Sequence, residues 1–242
     1  MLIDMQTLKD KNILVIGATG GIGSRAAKLL AGSGAKLFLT GRKKQILQEV
    51  ASACNVPLDR CFVLDCSQGV SVIELKERYF QQLATIDILI NAAGLGIIKS
   101  MSILDETDFL LSLNANLVAP FLLMKAFLPA MKEANTGLII NIPGVLGKVP
   151  MAGAAAYCAS KYGLVGMMQS IREELKRTEI RITNLYLGGV DSPFWDNIDL
   201  KVQHEKLVQV EEAAKAIWFL CQQPNSGVVS EMVLQPFNHQ VI

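Results

Sequence analysis

The 242-residue sequence predicts an α/β fold in which a doubly wound parallel sheet carries helices on both faces. Short runs that are apolar at nearly every position alternate with longer stretches of helical periodicity. Strands of a parallel sheet, buried on both faces, read in this way. Hydrophobic residues make up 51% of the chain, enough for a large core without disulfides or metals. No Pro/Ser/Gly-rich linker, low-complexity tract or internal repeat interrupts the alternation, so residues 1–242 are expected to form a single domain.

The elements follow in order. Residues 12–16 (NILVI) read as a buried strand, followed by glycines and a helix over 23–31. A second strand at 36–40 (KLFLT) precedes a helix at 43–52, and a third at 61–64 precedes one at 70–83. The fourth strand, 87–91 (DILIN), leads to a long helical stretch over 105–134. A strand at 138–142 (LIINI), a helix at 154–177 and a strand at 181–186 come next. A helix at 210–222 and a strand at 228–234 close the series. Right-handed crossovers wind such a chain so that ligands bind beyond the carboxyl ends of the strands.

Charge and cysteine usage exclude several classes. With 23 basic and 22 acidic residues the chain has no basic stripe, and nucleic acid is not an expected partner. Five scattered cysteines and two distant histidines form no metal-ligand spacing, so no metal is expected, and reduced thiols in a cytoplasmic setting are. The longest uncharged stretch, 109–124, contains Ser112, Asn114, Asn116 and Pro120, which suits a buried helix better than a membrane span.

The first strand runs straight into Gly17-Ala18-Thr19-Gly20-Gly21-Ile22-Gly23 and then into a helix. Glycines at this junction let the backbone turn tightly against a pyrophosphate, and the helix N-terminus behind them offers free N–H groups. Gly17, Thr19, Gly21, Ile22 and Gly23 are therefore candidate cofactor contacts in a Rossmann-type sheet. A second strand that served NAD would end in an acid able to bind the ribose 2′-hydroxyl. Here it ends Thr40-Gly41-Arg42-Lys43-Lys44. A guanidinium at Arg42 can fork a 2′-phosphate, which favours NADP(H) over NAD(H).

Tyr157-Cys158-Ala159-Ser160-Lys161 places Tyr157 and Lys161 on one helix face. Tyrosine has an unperturbed pKa of about 10, and a neighbouring ammonium is expected to lower it. In this context the sequence resembles the short-chain dehydrogenase/reductase family, the branch of about 250 residues with a YxxxK site. The resemblance runs from about Leu8 to Pro236. Gly17-x-x-x-Gly21-x-Gly23 is similar to that family's phosphate loop, with Ile16 where a threonine is usual. The resemblance makes Tyr157 the proton donor or acceptor, Lys161 the residue that steadies it and the nicotinamide ribose, and Asn116 an organiser of water leading to the lysine. It assigns Asp65 to the adenine amino group, Cys66 to a backbone contact, and Asn91, Ala92 and Gly94 to the adenine-ribose side. Gly188, Val190 and Ser192, in Leu187-Gly188-Gly189-Val190-Asp191-Ser192-Pro193, correspond to the loop over the nicotinamide, and a small substrate lid is expected around 190–208.

One family residue is missing. A serine is expected thirteen positions before Tyr157, and Gly144 stands there, after Pro143. Loss of one such donor to a carbonyl typically costs about 3 kcal/mol, roughly a hundredfold in rate. Three readings stay open: an NADP(H)-dependent carbonyl/alcohol oxidoreductase, an NADP(H)-binding sensor or scaffold with reduced or lost catalysis, and an enzyme whose bulky substrate activates its own carbonyl. The resemblance also implies a homodimer or homotetramer built on the 105–134 and 154–177 helices.

Overall fold

The computed structural model describes residues 6–65 and 69–242. Strand β1 (Asn12–Ile16) enters the glycine turn and helix α1 (Gly21–Gly32). β2 (Lys36–Gly41), α2 (Lys44–Ala53), β3 (Cys61–Val63), α3 (Gly69–Gln82) and β4 (Ile88–Asn91) follow. Helices α4 (Glu106–Leu113) and α5 (Ala119–Ala134) are joined by a π-helical turn at Asn114–Val118. Then come β5 (Gly137–Asn141), α6 (Ala155–Glu174), β6 (Ile180–Leu187) and a short strand β7 (Val190–Asp191) that pairs with β8 (Val208–Gln209). Helix α7 (Val210–Leu220) and strand β9 (Glu231–Leu234) end the series.

The main sheet is parallel, in the order β3-β2-β1-β4-β5-β6-β9. Strand order reverses between β1 and β4, and the crevice of a doubly wound fold opens at their carboxyl ends. Alternation along β1 splits the core in two. Ile13 and Val15 pack with Ala26, Leu30, Leu47 and Ile217 of α1, α2 and α7. Leu14 and Ile16 pack with Tyr79, Leu123, Phe127 and Leu164 of α3, α5 and α6. The Rossmann-type α/β sheet expected from the sequence is thus the fold observed.

Two expected elements differ from their sequence reading. The last strand begins at Glu231 rather than at 228. At Val229 the backbone N–H donates to Gln223 Oε1 at 2.7 Å and the carbonyl accepts from the Thr183 hydroxyl at 2.7 Å, so side chains rather than a ladder hold it. The long helix is interrupted where the Ala119 N–H reaches back five residues to the Asn114 carbonyl. Pro120, having no N–H, cannot donate to the Asn116 carbonyl, and a π turn absorbs the loss.

By length and composition Glu106–Ala134 could cross a membrane. In this fold Leu123, Met124, Phe127 and Met131 of the same stretch are buried against the sheet. Its outward side exposes Phe109, Leu110, Leu111, Val118 and Phe121.

Candidate active site

The glycine turn is shaped by contacts that no side chain could share. Gly17 has φ +85°, and a Cβ there would lie 2.7 Å from the Ala93 nitrogen. A Cβ on Gly23 would lie 2.3 Å from the Gly17 carbonyl oxygen. The turn therefore folds onto itself and onto the chain after β4, where the Ala92 N–H donates to the Ile16 carbonyl at 3.0 Å. The first turn of α1 carries no acid, which leaves its N-terminus electropositive.

At the end of β2, Gly41 is buried beneath Thr19, and a Cβ on it would lie 2.3 Å from Thr19 Cγ2. A side chain at this position would have to push the Thr19 side chain aside. Arg42, Lys43 and Lys44 are all exposed beside it, and none makes an ion pair among the described residues. The Leu64 N–H donates to the Gly41 carbonyl at 3.1 Å, which brings exposed Asp65 to the same edge. Cys66, expected from the sequence to contribute a backbone contact, lies outside the described residues. The end of β2 thus joins a buried glycine, packed under Thr19, to a cluster of exposed cations.

Tyr157 and Lys161 project from the first turns of α6. Lys161 is almost completely buried, and its Nζ donates to the Ile142 carbonyl at 3.1 Å. The ammonium lies 5.5 Å from the centroid of the Tyr157 ring. Burial lowers the Lys161 pKa from 10.5 to about 8. The same desolvation raises that of Tyr157, and Cys158 adds to the rise. The expected depression of the Tyr157 pKa by Lys161 is therefore not found; withdrawal of the phenol from water dominates and raises it.

Asn116, on the π turn, pins the loop after β4. Its Oδ1 accepts from the Leu95 N–H at 2.9 Å and its Nδ2 donates to the Leu95 carbonyl at 2.8 Å. The same Nδ2 lies 3.1 Å from Ser160 Oγ, whose hydroxyl donates to the Tyr157 carbonyl at 2.7 Å. Ser160 thus ties α6 to the π turn and is not free to replace the missing serine. Gly94 sits between the two groups: a Cβ on it would be 3.3 Å from Asn116 Oδ1 and 3.4 Å from Lys161 Nζ.

Gly144 has φ +70° and ψ 169°, a conformation that L side chains rarely adopt. The nearest atom to a Cβ there would be the Leu187 carbonyl oxygen at 3.4 Å, so space is present but the backbone is unsuited to serine. The missing hydroxyl thus coincides with a turn that disfavours any side chain.

Strands β7 and β8 clasp the base of the 190–208 segment. Asp191 and His204 Nδ1 are 2.7 Å apart, and Trp195 Nε1 donates to the Val190 carbonyl at 2.8 Å. Ser192 and Pro193 press on Gly21, where a Cβ would lie 3.0 Å from Ser192 Cβ. Phe194 lies against Gly96, and its ring is 5.9 Å from that of Tyr157. Beneath this segment is a cavity of about 710 Å³. Ile22, Gly144, Tyr157, Gly188, Val190 and Ser192 line it. Arg42 and Asp65 lie away from it, at the β2–β3 edge.

Two contributors had not been found in the sequence: the neighbours of Asn91 in a row of asparagines, and the C-terminal tail. Asn91, Asn141 and Asn184 stand in register across β4, β5 and β6, with Asn91 Nδ2 donating to Asn141 Oδ1 at 3.3 Å. They form a buried polar row beneath α6; strand register, which only the fold supplies, brings them together. The C-terminal residues Pro236, Asn238, His239 and Val241 line the cavity, held by Gln235, whose Oε1 accepts from the Val241 N–H at 2.7 Å.

Comparison with known proteins agrees with this fold. Residues 11–203 match the short chain dehydrogenase family. An uncharacterized oxidoreductase of Staphylococcus saprophyticus is 31% identical over 235 residues, covering 96% of this chain and all of the relative. A metagenomic short-chain oxidoreductase solved in complex with NADP superposes with a TM-score of 0.82 at 28% identity, covering 96% of this chain and 99% of that one. An alcohol dehydrogenase from the archaeon Thermococcus sibiricus, complexed with 5-hydroxy-NADP, gives 0.84 at 25% identity, with coverages of 96% and 99%. The chain belongs to the short-chain dehydrogenase family of oxidoreductases.

Proposed function

We propose that the protein interconverts a carbonyl and an alcohol with NADP(H), Tyr157 exchanging the proton. The observation that carries this reading is that Tyr157 lines the large cavity while buried Lys161 lies directly behind it. The dinucleotide, when bound, supplies or accepts the hydride. Gly17, Thr19, Gly21, Ile22 and Gly23 would hold its pyrophosphate; Asn91, Ala92 and Gly94 would hold its adenosine half with Arg42 and Asp65. Gly188, Val190 and Ser192 would hold its nicotinamide end, and Lys161 its ribose.

In reduction, Tyr157 Oη donates its proton to the substrate oxygen. The phenolate left behind is stabilised by the Lys161 ammonium, and Asn116 keeps the Leu95 loop and α6 in fixed relation to that pair. The phenol is protonated at neutral pH, the form that donates, and its raised pKa makes donation depend on the Lys161 ammonium to stabilise the phenolate. Proton-coupled NADPH consumption on a ketone, with the alcohol recovered as product, tests the proposal; binding with no alcohol formed would contradict it.

The pH dependence follows from Lys161. Its charge is present below about pH 8 and lost above it, so phenolate stabilisation is lost in the same direction. The rate of reduction should be level below about pH 8 and fall up to tenfold per unit above it. A kcat/KM profile flat to about pH 10 would exclude this role.

Arg42→Ala should weaken NADPH about tenfold and leave NADH little changed, because only NADPH carries the phosphate for the guanidinium to fork. Fluorescence titration with both dinucleotides reads the difference; equal weakening of both would remove the basis for NADP(H).

A second copy of the chain is the proposed macromolecular partner. The exposed row Phe109, Leu110, Leu111, Val118 and Phe121 on α4, the π turn and α5 offers an apolar face to it. Sedimentation equilibrium should give a dimer or tetramer, and Phe121→Asp should shift it toward monomer. A monomeric parent protein would refute the assignment.

A further inference from the structure

Three features of the cavity beneath the 190–208 segment bear on its substrate. The wall around Tyr157 is apolar, formed by Ile98, Val145, Leu146, Met151 and Phe194. Its volume of about 710 Å³ is at the upper end of what small-molecule sites use, so it can take a sizeable molecule beside a nicotinamide. Charge is confined to one sign: Lys201 and Lys206 line it, and among the described residues no aspartate or glutamate does.

The cations are uncommitted. Among the described residues, neither lysine makes an ion pair or a side-chain hydrogen bond. Asp191 of this segment is engaged with His204 by a hydrogen bond. Asp196, Asp199 and Glu205 are exposed and do not line the cavity. Two unpaired ammonium groups at the mouth of an apolar chamber favour a molecule that is apolar along its length and anionic at its far end.

We propose that the substrate is an apolar carbonyl compound with an anionic head group, its carbonyl at Tyr157 and its head at Lys201 and Lys206. This rests on the oxidoreductase reading above and narrows it. Gly144 fits the same picture, since the absence of a side chain there widens the chamber beside Tyr157.

The test compares NADPH-dependent reduction of 9-oxodecanoate with that of its methyl ester, in the parent protein and in a Lys201→Ala/Lys206→Ala variant. The parent should favour the acid over the ester by about tenfold or more in kcat/KM, mainly through KM. In the variant the acid-to-ester ratio should fall to about one. A parent ratio near or below one, or a ratio unchanged in the variant, would overturn the proposal. If neither ketone turns over, calorimetric titration with decanoate separates the two claims. Binding to the parent that the variant lacks would uphold the anionic site and refute the oxidoreductase reading. No binding to the parent would refute the site itself.

Discussion

Tyr157→Phe should lower kcat/KM for carbonyl reduction by about a hundredfold to ten-thousandfold, the range that a positioned proton donor supplies. The substitution removes one oxygen and keeps the ring that packs 5.9 Å from Phe194. Burial raises the Tyr157 pKa and no hydrogen bond from its hydroxyl to another described residue is found, so the fold does not depend on that oxygen. The dissociation constant for NADPH should therefore stay within about twofold of the parent value and the melting temperature within a few degrees. Lys161→Ala should behave differently, losing rate and cofactor affinity together. Retained turnover in Tyr157→Phe, measured by alcohol formation, would remove Tyr157 from the chemistry.

Gly144→Ser should destabilise the protein and fail to raise its activity. A family comparison of the sequence alone suggests the opposite, that serine restores a lost hydrogen-bond donor. The backbone decides the matter. At φ +70° and ψ 169° any side chain costs about 1–3 kcal/mol, although the nearest atom to its Cβ would be an acceptable 3.4 Å away. For a chain of this size that corresponds to roughly 2–12 °C in melting temperature. If the turn instead relaxes to accommodate serine, Val145 and Leu146, which line the cavity beside it, must move too. Gly144→Ala is the control: it carries the same strain without a hydroxyl. Serine more active than alanine by tenfold or more would show that the hydroxyl, not the turn, is what the site lacks.

Much of this site was legible in the sequence because it depends on local rules. Apolar runs such as NILVI and LIINI are strands buried on both faces, and each glycine motif lies at the end of one. The i, i+4 spacing alone puts Tyr157 and Lys161 on one face. What escaped the sequence depends on the third dimension. The positive φ of Gly144 belongs to a turn whose shape is set by β5, β6 and the 3₁₀ turn after it. The direction of the Tyr157 shift depends on how deeply α6 packs, not on the proximity of a lysine. The contact of Phe194 with Gly96, and the wall made by residues 236–241, join segments far apart in the chain. Asn116 was singled out by its motif, yet its bonds to both polar groups of Leu95 became visible only once the π turn was placed.

The most direct test of the central claim follows NADPH oxidation and alcohol formation together, over a panel of ketones graded from small to bulky and from neutral to anionic. The account predicts one alcohol formed per NADPH consumed, with a preference for the bulky members and loss of both signals in Tyr157→Phe. Stoichiometric NADPH binding with no alcohol from any ketone would contradict it, and would leave a cofactor-binding protein without carbonyl chemistry.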